Sequence, residues 1–163
     1  MSKYLILDVD TLIQNSGEEN VIRIVKAKDK RKALEKFFIN EWNRGNGLFD
    51  YKRDRDHCDW SEHILPFDNE EKMMEVMLKS LQNKFGKSVG QELYNYYNFL
   101  WEFNERKNKE YMVYPSFEED YKISNEAILG LFFDEIEEIL NNEDRPIYTQ
   151  IKIMPLNSLE VIE

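Results

Sequence analysis

The sequence predicts an α+β fold: a small antiparallel sheet, built from an N-terminal hairpin and a C-terminal strand, packed with about four helices. Three observations predict it. Both ends of the chain carry short β-branched runs, and the middle carries four stretches with apolar residues at helical spacing. Only 6 glycines and 4 prolines stand among 163 residues, so little chain is left for linkers. The order β-β-α-α-α-α-β brings the last strand back to the opening hairpin. The expected organisation is one domain over residues 1–163, with the hairpin in 3–27, a helical part in 29–142 and the last strand in 146–154.

Tyr4-Leu5-Ile6-Leu7 and Leu12-Ile13 flank the first extended run, and Val21-Ile22-Arg23-Ile24-Val25 supplies the second. Between them, Asn15-Ser16-Gly17-Glu18-Glu19-Asn20 has turn chemistry. The first helix is expected from about Asp29 to Trp42, with Leu34, Phe37 and Phe38 on its buried side and Gly45 and Gly47 beyond its end. Leu48–Phe67 is long and charged and reads as an irregular loop. The second helix starts at Asp68, with Glu71 at capping-box spacing, and buries Met73, Met77, Leu81 and Phe85. Gly86 caps its end. The third is expected to open at Ser88, with Gln91 three residues on, and to run to about Arg106. A short turn of helix over Ser116–Tyr121 precedes the fourth, from about Ser124 to Asn142, with Ile128, Leu131, Phe132, Ile136 and Ile139 on one side. Pro146 then stops helix formation, and Ile147–Ile153 reads as a strand.

Composition narrows the function. Aromatic residues make up 13% of the chain, too many for disorder. A single cysteine, Cys58, allows no disulfide within one chain, so a reducing compartment, the cytoplasm, is expected. No apolar run approaches the roughly 20 residues of a membrane span, and the first residues lack a signal-peptide build. The net charge is −10, and residues 110–163 carry 13 acidic against 3 basic side chains. Such a field repels phosphate backbones and attracts basic surfaces, so no nucleic acid is expected to bind through that surface directly.

Several groups of residues have chemistry to offer. Asp54, Asp56, His57, Cys58, Asp59, Glu62 and His63 include ligand types for Zn²⁺ or another transition ion, but the spacing of six between His57 and His63 fits neither a helix face nor a zinc finger, and Arg53 and Arg55 interleave with the acids. Gly86-Lys87-Ser88 lacks the leading glycine of a phosphate-binding loop. Lys26, Lys28, Lys30, Arg31, Lys32 and Lys36 form the one basic cluster and read as a solvated first turn of helix.

Tyr4-Leu5-Ile6-Leu7-Asp8-Val9-Asp10-Thr11 resembles the first motif of the haloacid-dehalogenase-like phosphohydrolases. That resemblance implies a nucleophile at Asp8, an acid/base at Asp10 and Mg²⁺ between them. It departs from the family pattern because Thr11 follows Asp10 directly and no βαβ crossover follows. In overall build, residues 1–45 at most, the chain is similar to small acidic phage and mobile-element proteins, anti-CRISPR and anti-restriction inhibitors among them.

The leading expectation is a non-enzymatic, acidic protein-binding module that docks on the basic surface of a host nucleic-acid-handling protein, such as a CRISPR nuclease or restriction enzyme, and inhibits it. Its contacts are expected from Tyr94, Tyr97, Trp101, Tyr111 and Tyr114, and from Glu118, Glu119, Asp120, Asp134, Glu137 and Glu138. No catalytic residue, cofactor or metal is assigned. The alternatives are a small divalent-metal-dependent phosphohydrolase using Asp8 and Asp10 or the His57–His63 segment, and a structural or assembly protein.

Overall fold

The N-terminal run becomes a two-faced strand, but Asp8, which its alternation with Leu7 would place on a wet face, lies on the buried one. In β1 (Ser2–Asp8) the side chains of Tyr4, Ile6 and Asp8 are buried, while Leu5 and Leu7 on the other face are half-buried. β1 pairs antiparallel with β2 (Val21–Ala27), with Ile6 opposite Arg23, and with β6 (Ile151–Pro155), with Ile6 opposite Ile153. The sheet order is β2-β1-β6, so the C-terminal strand does return to the opening hairpin.

The computed structural model describes residues 1–8, 21–45, 47–61, 64–65, 70–104, 110–117, 122–141 and 151–158. The chain forms two units, residues 1–51 with 131–163 and residues 52–130. The hairpin turn over 9–20, the Asp68 cap and residues 146–150 of the expected last strand lie outside the described residues.

In the first unit, α1 (Lys30–Arg44) packs on the inner face of the sheet. Asp29 caps it by accepting a 2.8 Å bond from the Lys32 N–H, and Gly45 ends it in the left-handed conformation. Leu34 and Phe38 are fully buried, and Phe38 stacks on Phe132 with ring centroids 4.7 Å apart. The next helix, α6 (Phe133–Asn141), contributes Ile136 and Ile139 to the buried set. A 3-10 turn, Leu156–Ser158, follows β6.

The second unit holds α3 (Glu70–Phe85) and α4 (Lys87–Tyr97) side by side. Gly90 permits this approach, because a Cβ there would lie 2.5 Å from the Gln82 backbone. A second sheet, of order β3-β5-β4, is built from β3 (Ile64–Leu65), β4 (Phe99–Asn104) and β5 (Glu110–Pro115), all antiparallel. α5 (Asn125–Leu131) is anchored at Ser124, whose N–H and hydroxyl both donate to the Glu92 carboxylate at 2.6 Å. The Ser124 hydroxyl also accepts the Ala127 N–H, an N-cap.

Four expectations are corrected. The charged segment after Gly47 is helical, as α2 (Leu48–Ser61), and internal ion pairs replace the missing apolar stripe: Lys52 meets Asp56 at 3.0 Å across one turn. The third helix does not reach Arg106. It ends at Tyr97, where Asn98 takes φ 37°, and the aromatic run beyond it pairs as a strand with 110–115. The N-cap of α4 is Gly86 rather than Ser88, and it makes no side-chain capping bond. The fourth helix breaks at Phe132 into α5 and α6. Of the expected turn over Ser116–Tyr121, Ser116 and Phe117 are not helical and 118–121 lie outside the described residues.

Candidate functional site

The acidic candidate site is set out on α6. Its amphipathic pattern buries Ile136 and Ile139, leaves Asp134 exposed and leaves Glu137 and Glu138 partly exposed. Carboxylates on neighbouring turns of a helix recur every ~5–6 Å. Glu137 is not an isolated charge. Its Oε1 lies 2.6 Å from Arg31 Nη1 on α1. The hydrogen bond from Arg31, reinforced by its charge, holds the Glu137 carboxyl below the usual carboxylate range, with burial and Asp134 opposing weakly; the same contact raises the Arg31 guanidinium further. Glu135, on the opposite side of the helix, is buried at 1% exposure. Glu118, Glu119 and Asp120 lie outside the described residues.

The aromatic candidates belong to the second unit. Tyr94 on α4 is half-buried. Tyr97 is buried at 7% exposure, edge-on to Tyr96 at 5.6 Å and to Phe117 at 5.9 Å, so its ring is spent on the core. Trp101 stands in β4 opposite Val113, and Tyr111 and Tyr114 stand in β5 opposite Phe103 and Leu100. The six-aromatic helix expected from the sequence is therefore a helix end followed by a hairpin.

The described residues that suggested metal chemistry fall on β1 and α2. Asp8 is buried at 3% exposure on a strand whose neighbours are both antiparallel, opposite Val21 and Ile151, whereas the phosphohydrolase motif belongs to a parallel sheet. Asp10 lies outside the described residues. Asp54 meets Arg53 at 3.1 Å, Asp56 meets Lys52, and His57, Cys58 and Asp59 belong to α2, while Glu62 and His63 lie outside the described residues. Among the described residues, no three His, Cys, Asp or Glu side chains are grouped to hold a metal ion.

Sequence reasoning missed a buried polar group in the second unit. Lys52, Asp56 and Tyr96 are all buried, at 7%, 4% and 0% exposure. Burial first, then the Asp56 carboxylate, pushes the Tyr96 phenol far above its ordinary value, with Arg53 opposing. The available signal was the i,i+4 spacing of Lys52 and Asp56 in a stretch without apolar periodicity.

Among the described residues, no helix is long and apolar enough to cross a membrane. The fold is that of a small α+β protein, with an acidic helix in one unit and an aromatic hairpin in the other. No family model, curated protein or solved structure matches the chain.

Proposed function

We propose that the protein is a non-enzymatic docking module whose acidic α6 face meets the basic surface of a nucleic-acid-handling protein and competes there with phosphates. The observation that carries this reading is the row Asp134, Glu137 and Glu138, exposed or partly exposed above a buried Ile136–Ile139 side. Its ~5–6 Å repeat is close to the ~7 Å between phosphates along one strand in extended form. The net charge of −10 adds long-range steering, which raises association rates. Tyr94, Trp101, Tyr111, Tyr114, Glu118, Glu119 and Asp120, all within residues 52–130, remain candidate contacts for the same partner. A CRISPR nuclease or restriction enzyme, met in the cytoplasm of a phage's host, is the kind of partner that this chemistry selects.

The test is affinity capture from a nuclease-treated cell lysate, eluted by a salt step and repeated with an Asp134→Asn/Glu138→Gln variant. Recovery of a basic nucleic-acid enzyme, released by salt and lost with the variant, is the expected result. Capture unchanged by both salt and the variant contradicts the proposal.

A further inference from the structure

The first unit also carries a basic groove, the electrostatic opposite of α6. Among the described residues β2 pairs only with β1, so its other side is a sheet edge. Two contacts show which backbone groups face outward there. The Ile22 carbonyl accepts from Arg23 Nη1 at 3.2 Å, and the Lys26 carbonyl accepts from Lys36 Nζ at 2.8 Å. Because N–H and C=O of one residue point to the same side of a strand and alternate along it, Ile24 faces outward between them.

A groove of about 480 Å³ runs between this edge and α1, with Ile24, Val25 and Phe37 lining it. Lys36 and Arg44 also line it, and no carboxylate does. Lys26 reaches it through its backbone, while its side chain shares the outer face of Ile22 and Ile24. Among the described residues, none of these three cations has an ion-pair partner. Arg23 and Asn40, also on the wall, are held in place by the fully buried Glu41: Arg23 donates to both its carboxylate oxygens, at 2.8 and 3.1 Å, and Asn40 to one, at 2.9 Å. Strand and helix run side by side, with Lys36 beside Lys26 and Glu41 beside Arg23. On the other face of the sheet, Ile22 and Ile24 are 58% and 63% exposed.

We propose that the outer edge of β2 is a docking site for an acidic peptide in extended form, added to the sheet as a fourth strand. Its backbone meets the N–H and C=O of Ile22, Ile24 and Lys26. Its alternate side chains, ~6.8 Å apart, point into the groove, where carboxylates four residues apart span the ~12 Å between Lys36 and Arg44 two turns along α1. The intervening side chains lie beside Ile22 and Ile24 and are apolar. Lys36, which covers the Lys26 carbonyl, turns to a carboxylate when the peptide's own N–H takes that carbonyl over. Arg23 stays on Glu41 and shares the Ile22 carbonyl, which has a second lone pair, with the peptide. A second copy of the chain pairing edge to edge would set Lys26, Lys36 and Arg44 against one another. A nucleic acid would satisfy the cations, but its phosphates only accept hydrogen bonds and leave the Ile24 carbonyl unmatched.

The probe is a short synthetic peptide of alternating Glu and Val, measured by fluorescence anisotropy against the full chain. It is compared with the same peptide N-methylated at alternate residues, a Lys/Val peptide and a single-stranded oligonucleotide. The expected result is binding of the Glu/Val peptide alone, with NMR amide shifts at Ile22, Ile24 and Lys26. Affinity should weaken by about tenfold or more in Lys26→Glu/Lys36→Glu/Arg44→Glu, a solvent-side variant whose fold is checked by its melting curve. Binding that survives N-methylation, binding unchanged in the charge-reversed variant, preference for the oligonucleotide, or no binding at all each overturns the proposal.

Discussion

Arg31 and Glu137 show how a single contact alters the acidic surface. Glu137 has its carboxyl pulled down by Arg31, so the pair's contribution to stability is present above the unfolded carboxylate value of ~4.3 and is lost as pH falls through the lower folded value. A carboxyl-detected NMR titration is expected to give Glu137 a midpoint below that value, rising in Arg31→Ala. An unchanged midpoint in the variant would show that the pair does not form. Tyr96 works in the other direction. Its folded phenol is raised, so its contribution is intact below the unfolded tyrosine value of ~10 and is lost as pH rises beyond it. Ultraviolet titration should therefore find that the Tyr96 tyrosinate appears only with alkaline unfolding, and Tyr96→Phe should reduce the late step by one tyrosine. The buried Lys52–Asp56 pair sets a third test. Lys52→Met removes the cation 3.0 Å from a carboxylate at 4% exposure and is expected to destabilise the fold in denaturant unfolding, by up to about 3–5 kcal/mol, with much of the loss regained in Lys52→Met/Asp56→Leu. None of these pairings across the fold could be read from sequence, because Arg31 and Glu137 are more than a hundred residues apart; only Lys52–Asp56, one helical turn apart, left a local signal.

At the scale of elements, the parts with local causes were legible and the parts with tertiary causes were not. Asp29 and Gly45 delimit α1 as their chemistry demands, and short apolar and β-branched runs marked β1 and β2. Gly86 does end α3, with φ 87° and its N–H donated to the Gln82 carbonyl. The boundary between α4 and β4 was missed because aromatic residues suit both a buried helix and a strand, and only pairing with 110–115 decides between them. Asn98 is the single local clue, a residue type that tolerates the left-handed turn. Gly90 carries no local signal of its role, yet it sets the distance between α3 and α4. Gly90→Ala gains helix propensity but forces a methyl against the Gln82 backbone, so a net loss is expected, at least the roughly 1–3 kcal/mol of ordinary overpacking. Thermal unfolding measures it, and a stabilised variant would mean that the two helices are not so close.

At the scale of the whole molecule, charge is sorted rather than spread. Residues 110–163 carry most of the excess of carboxylates, while the edge of β2 and the facing side of α1 gather cations. Composition alone made the acidic excess legible, including the candidates Asp134, Glu137 and Glu138. It did not reveal the basic groove, since Lys26, Lys36 and Arg44 come together only when β2 lies along α1. In the proposed docking, the α6 carboxylates steer and hold a basic partner. The most direct measurement is the association rate and affinity of the captured partner for the wild-type chain and for Asp134→Asn/Glu137→Gln/Glu138→Gln, each at low and at raised salt. Slower association, weaker binding and a shallower salt dependence are expected in the variant. Equal rates and equal affinities at both salt concentrations would contradict the proposed docking.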